Sequence, residues 1–175
     1  YGQVAGAKVG EEYRFVLVNG EQVISRIDPY ARHVTSSIGN AIITDPDAYD
    51  WEGDDFTAPT LNEMVIYEMH VGTFFDKDPD DDKPATLDTI EEKLDHLVHL
   101  GVNAIELMPL MEFAGDYSWG YNPAHIFAVE SAYGGPEKLR DLVKVCHRHG
   151  LAVIIDVVYN HFGPSDLDLW QFDGW

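Results

Sequence analysis

The chain has 175 residues, 45% of them hydrophobic, with 11 basic and 31 acidic side chains and a formal net charge of −20. Such acidity disfavours nucleic acid or an anionic membrane surface as a partner, and no apolar run approaches the roughly 18 residues of a membrane-spanning helix. Cys146 is the only cysteine, so no internal disulfide framework is possible, and its place on the apolar side of an expected helix marks a structural thiol.

Residues 1–45 read as β. Glu12 to Val18 begins with alternation, Asn19-Gly20 is a hairpin-turn dipeptide, and Gln22 to Ile27 supplies the return strand before Asp28-Pro29. A lone hairpin does not hold together in water, so further partner strands are expected. Thr44 to Asn62 follows as a linker rich in Asp, Pro and aromatics, in which Tyr49, Trp51 and Phe56 are expected to pack. The boundary is expected near Thr60, dividing residues 1–60 from 61–175.

Beyond it the period changes. Met64 to His70 is a short, largely apolar strand, and the acidic run Asp76 to Asp82 reads as a solvated loop. Asp88 to Glu91 has capping-box spacing, Ile90, Leu94, Leu97 and Val98 share one helical face, and Gly101 ends it. Val102 to Met108 is a second strand. Leu110 to Gly135 carries no clear internal element, and a loop of that length points to function. Pro136 opens a helix with Leu139, Leu142, Val143 and Cys146 inward, ended by Gly150. Leu151 to Ile155 is uniformly apolar, as a strand covered on both faces requires. The order is β-α-β-α-β with right-handed crossovers expected, and Asp156, Asn160 and His161 fall at the carboxyl end of the third strand, where parallel α/β folds keep their chemistry.

Asp156-Val-Val-Tyr-Asn-His161 resembles the first signature region of the α-amylase superfamily, glycoside hydrolase family 13, in which it forms strand three of a (β/α)8 barrel. Ser118-Trp-Gly-Tyr-Asn-Pro123 resembles the family segment whose tyrosine stacks on the sugar beside the scissile bond. The turns around Asn19-Gly20 and Asp28-Pro29 resemble the end of the β-sandwich, carbohydrate-binding-module-like domain that precedes the barrel in branching enzymes. The fold class implied is α/β: residues 61–175 are the first three strands of a TIM barrel, and residues 1–60 are the tail of a β-sandwich plus linker.

The resemblance gives Tyr121 and His161 substrate-binding roles and makes Asp156 and Asn160 structural support of the site, with Asp156 buried and orienting Tyr121. Trp119 is expected to pack. Asn160 matches a calcium ligand of many α-amylases, but one asparagine cannot define a site needing six to eight oxygens, so neither metal nor cofactor is expected. Glu68, Glu106 and Glu112 match no catalytic position of the family, whose nucleophile and acid/base lie beyond Trp175. No catalytic residue is therefore expected within residues 1–175, and the fragment alone is expected to be inactive.

The implied function is processing of α-1,4-glucan or malto-oligosaccharide in the cytoplasm by a retaining mechanism, with 1,4-α-glucan branching first. The alternatives are malto-oligosyltrehalose trehalohydrolase, suggested by Tyr133-Gly-Gly-Pro-Glu137 and Phe162-Gly-Pro164, and an amylase-type hydrolase. A non-catalytic glucan-binding relative is the reading from another class. A nucleotide-binding α/β domain is disfavoured, because His70-Val-Gly-Thr-Phe lacks a glycine-rich phosphate loop.

Overall fold

The structure is a computed structural model that describes residues 3–164, 167 and 169–174. Strand β1 (Glu12–Tyr13) pairs antiparallel with β4 (Ala41–Ile42), while β2 (Phe15–Asn19) pairs antiparallel with β3 (Gln22–Arg26). The one strand expected over 12–18 is thus divided between two partners. Arg14 sits at the division, its guanidinium donating to Ser25 Oγ at 2.9 Å and to the Gly39 carbonyl. The Tyr13 hydroxyl donates to Asp28 at 2.6 Å, and a small core of Ile27, Ala31, Val34 and Ala41 closes over Ala128 from the α/β part.

The α/β part begins with β5 (Ile66–Met69) and the single turn α1 (Val71–Phe74), followed by α2 (Leu87–Glu91), α3 (Leu94–His99) and β6 (Ala104–Leu107). Then come β7 (Met111–Phe113), β8 (Pro123–Val129), α4 (Gly135–Arg148) and β9 (Ala152–Ile155). The sheet order is β5-β6-β9, parallel throughout, with Glu68 opposite Glu106 and Glu106 opposite Ile154. Ile105, Leu107, Leu151 and Met69 share one core with Ile90, Leu94, Leu97, Leu142 and Cys146, so both helical layers cover the same sheet face. Burial pushes the Cys146 thiol up to about 12, with Glu91 adding to it, as befits an inert packing residue.

Two expectations are corrected here. The first helix is broken at Glu92-Lys93 into α2 and α3, and its cap is Thr86 rather than Asp88, with no side-chain capping bond. A break there still leaves Leu87, Ile90, Leu94 and Leu97 fully buried. The segment Leu110 to Gly135 is not without structure: β7 and β8 form an antiparallel hairpin with register shifts around Glu112. Its strands are short or irregular, one opens with proline, and neither carries the alternation that marks a strand in sequence.

The linker lies along α4. Tyr49 donates its hydroxyl to Asp141 at 2.7 Å, Phe56 stacks on His147 with ring centroids 4.2 Å apart, and Glu52 pairs with Lys144 and Arg148. No described helix is long and apolar enough to cross a membrane.

Candidate functional site

The carboxyl ends of β5, β6 and β9 gather the residues singled out by the sequence. Tyr121 donates its hydroxyl to Asp156 Oδ2 at 2.8 Å, although 35 residues separate them. His161 donates from Nε2 to the Tyr121 carbonyl at 2.6 Å. The loop after β6 and the loop after β9 are thereby stitched together at one point. The hydrogen bond to Asp156 is the first cause that raises the Tyr121 phenol above its ordinary pKa, followed by burial and by the charges of Asp156, Glu68 and Glu106. Those two glutamates stand side by side on the sheet face opposite the helices, which places their negative field under the site.

Asp156 is half-buried rather than buried, because the chain leaves the sheet at Ile155 and turns towards the open side. Asn160 is exposed, as is His161. Among the described residues no group of three or more His, Cys, Asp or Glu side chains is placed to hold a metal ion.

The backbone of the 118–122 loop is fixed from several sides. His70 Nε2 donates to the Ser118 carbonyl at 2.7 Å, and its Nδ1 meets the Thr73 hydroxyl at 3.0 Å. The buried Tyr133 hydroxyl lies 3.0 Å from the same Nε2. Ser118 Oγ accepts from Gly120 N at 3.0 Å and donates to the Asn122 side chain. Gly120 has φ of 86°, and a Cβ there would run into the Pro109 carbonyl at the end of β6. Only glycine fits both demands.

Trp119 is the residue whose expectation fails. Instead of packing it is 71% exposed, beside Tyr117 at 60% and Tyr121 at 40%. Clamping of Ser118 and Gly120 to the strand ends directs the intervening side chain away from the core.

A second carboxylate arrangement went unrecognised in the sequence. Glu112 and Glu130 are buried at the base of the β7–β8 hairpin. Glu130 accepts from Phe113 N at 3.0 Å and from Ala132 N at 2.9 Å, while Glu112 accepts from Ser131 N at 2.7 Å. Burial, then the neighbouring Glu130, pushes Glu112 up to about 8; burial pushes Glu130 up to about 7. Both side chains close the hairpin by replacing backbone partners. A glutamate directly after an apolar strand and before Ser131 was the available signal.

With this geometry established, comparison with known proteins is decisive: a family profile described as "Alpha amylase, catalytic domain" matches residues 70–169. The chain belongs to this alpha-amylase family. A malto-oligosyltrehalose trehalohydrolase of Saccharolobus solfataricus is 39% identical over 90% of this chain and 26% of its own length. A 1,4-alpha-glucan branching enzyme of Pseudoalteromonas atlantica is 33% identical over 98% of this chain and 25% of its own. The crystal structure of a putative alpha amylase from Salmonella typhimurium superposes with a TM-score of 0.83 at 36% identity, covering 95% of this chain and 27% of that one. The chain thus spans about a quarter of the length of these curated relatives. Membership of the alpha-amylase family accounts for the three parallel strands as the first part of a TIM barrel.

Proposed function

We propose that the protein is an α-glucan-processing enzyme in which residues 61–175 form the first part of the catalytic barrel and residues 1–60 the end of a β-sandwich and the linker. One observation carries the reading: Tyr121, Asp156 and His161 converge at the carboxyl ends of parallel strands in a chain of the alpha-amylase family. A pyranose has an apolar C–H face, and the half-exposed Tyr121 ring offers it matching area at low entropy cost. Asp156 holds that ring by its hydroxyl. His161 spends Nε2 on the Tyr121 carbonyl, which leaves Nδ1 for a sugar hydroxyl. The family resemblance gives Asn160, exposed in the same loop, a supporting role.

A retaining mechanism needs a carboxylate nucleophile and a carboxylic acid about 5–5.5 Å apart across the scissile bond. Asp156 serves Tyr121, and Glu112 and Glu130 serve the hairpin backbone. The family resemblance assigns the catalytic pair to positions that residues 1–175 do not contain, so these residues alone are expected to give no turnover. Branching and trehalose release from malto-oligosyltrehalose are both carried by relatives, with the trehalohydrolase the more similar of the two described.

The test uses the complete protein, assayed with amylose (iodine staining and reducing ends) and with maltotriosyltrehalose (trehalose release). Turnover of one substrate is expected, with kcat/KM about 10–100-fold lower in Tyr121→Ala. Activity on neither, or full activity of Tyr121→Ala, overturns the proposal. Turnover by residues 1–175 alone refutes the placement of the catalytic pair.

A further inference from the structure

Resting on the glucan reading above, we infer that Arg26 is a positioning residue of the site. From the β2–β3 hairpin it holds the segment that follows His161, and so sets how readily a glucan chain is bound there.

The chain after β9 is tied down at two places. Near the site His161 bonds the Tyr121 carbonyl, and two residues further on Gly163 N donates to the Pro123 carbonyl at 2.7 Å. The second tie lies on the β-rich part. Arg26 donates from Nε to the Phe172 carbonyl at 3.0 Å and from Nη2 to the Gln171 carbonyl at 3.2 Å, while Asn19 Nδ2 donates to the Asp173 carbonyl at 2.9 Å. Three successive main-chain carbonyls are thus gripped by side chains 145–154 residues earlier. Because every acceptor is backbone, the grip fixes the path of the chain rather than any one of its side chains. A Cβ on Gly174 would run into the Ile24 and Gln22 side chains, so the segment lies directly against the hairpin.

The turn is held in a conformation that it would not keep alone. Gln171 has φ of 44°, a left-handed backbone costly for a residue with a side chain, and its carbonyl accepts from Gly174 N at 2.8 Å as well as from Arg26. A guanidinium suits this task, because its planar fork reaches adjacent carbonyls at once and an ammonium does not. The third nitrogen, Nη1, lies 3.3 Å from the Ser25 carbonyl of its own strand, which aims the fork outwards. With this tie in place the segment is ordered before a glucan arrives. Without it the substrate must supply the ordering, and the loss falls on affinity rather than on the chemical step.

The experiment is steady-state kinetics of the complete protein on whichever of amylose and maltotriosyltrehalose the wild type turns over, for Arg26→Ala, Arg26→Lys and Val34→Ala. Arg26→Ala is expected to raise KM about three- to tenfold with kcat within about twofold of the wild type. Arg26→Lys keeps the charge without the fork and is expected to recover only part of the loss. Val34→Ala removes packing from the core of the β-rich part; it is expected to lower the thermal midpoint and leave KM unchanged. If Arg26→Ala does not fold, the KM of Arg26→Lys decides in its place. An unchanged KM, or a fall in kcat alone, overturns the inference and leaves the Tyr121 site standing. So does a rise of KM in Val34→Ala as large as that in the Arg26 variant, because general loosening of the β-rich part would then suffice. A wild type without turnover on either substrate brings down the glucan reading together with this one.

Discussion

The two faces of the β5-β6-β9 sheet are built from the same strands and do different work. On the helix side Ile105, Leu107, Leu94, Leu97, Leu142 and Cys146 are fully buried in one core. On the other side Ile66 is exposed, and Glu68 and Glu106 lie in register with each other below Tyr121 and Asp156. The helix side fixes where the strand ends stand. The other side sets the electrostatic field that those ends feel. A change on the first is felt as stability, and a change on the second is felt at the site.

The largest effect that can break this contrast is a pair of truncations. Leu97→Ala is expected to cost about 2–5 kcal/mol in urea denaturation, through lost burial and a residual cavity. In residues 1–175, Ile154→Ala, half-buried on the other face, is expected to cost about 1 kcal/mol or less. Equal losses would mean that both faces are closed in solution, and the contrast would fall.

The next effect separates buried from open carboxylates. Glu112 and Glu130 titrate near 8 and near 7 in the fold, above the ordinary carboxylate range. The folded state therefore prefers their protonated forms. Their stabilising contribution is complete below the ordinary range and is lost as pH rises through about 7 to 8. The thermal midpoint is expected to fall by about 5 °C between pH 6 and pH 9. Glu112→Gln should remove much of that slope, whereas Glu68→Gln on the open face should leave it intact. A full slope in Glu112→Gln would show that the hairpin base is not where the pH dependence arises.

The smallest effect concerns the site itself. Tyr121→Phe deletes the hydrogen bond to Asp156 and keeps the ring. With the ring 40% exposed, the stability loss is expected to stay below about 1 kcal/mol. A much larger loss in denaturation would make Tyr121 a structural pin rather than a sugar platform.

The parts legible in the sequence were those in which one local rule decides the outcome. The continuous apolar run at 151–155 and the mostly apolar stretch at 102–108 announced strands, and Leu142 and Cys146 at helical spacing announced the covering layer. The resemblance at 118–123 and 156–161 named Tyr121, Asp156 and His161, which the fold brings together. What escaped was decided by tertiary context. The β7–β8 hairpin is held by the buried Glu112 and Glu130 side chains, and no periodicity records such bonds. Trp119 was expected to pack and pin its loop to the barrel, while its exposure follows from clamps on its neighbours by His70 and Pro109, 48 and 11 residues away along the chain. The split between α2 and α3 falls within an unbroken helical pattern, and the pattern alone does not predict it.

The linker over 44–62 has the composition of a tether, and a free chain of that length would wander over roughly 25 Å. Here it is a strap. Tyr49 on Asp141, Glu52 on Lys144 and Arg148, Asp54 on His147 and the Phe56–His147 stack fasten it at intervals along α4. The joint is therefore fastened along its length rather than left as a free tether. The β-rich segment is held on a second side as well, where its core of Ile27, Ala31, Val34 and Ala41 closes over Ala128, so the strap and that core together set its place against the sheet.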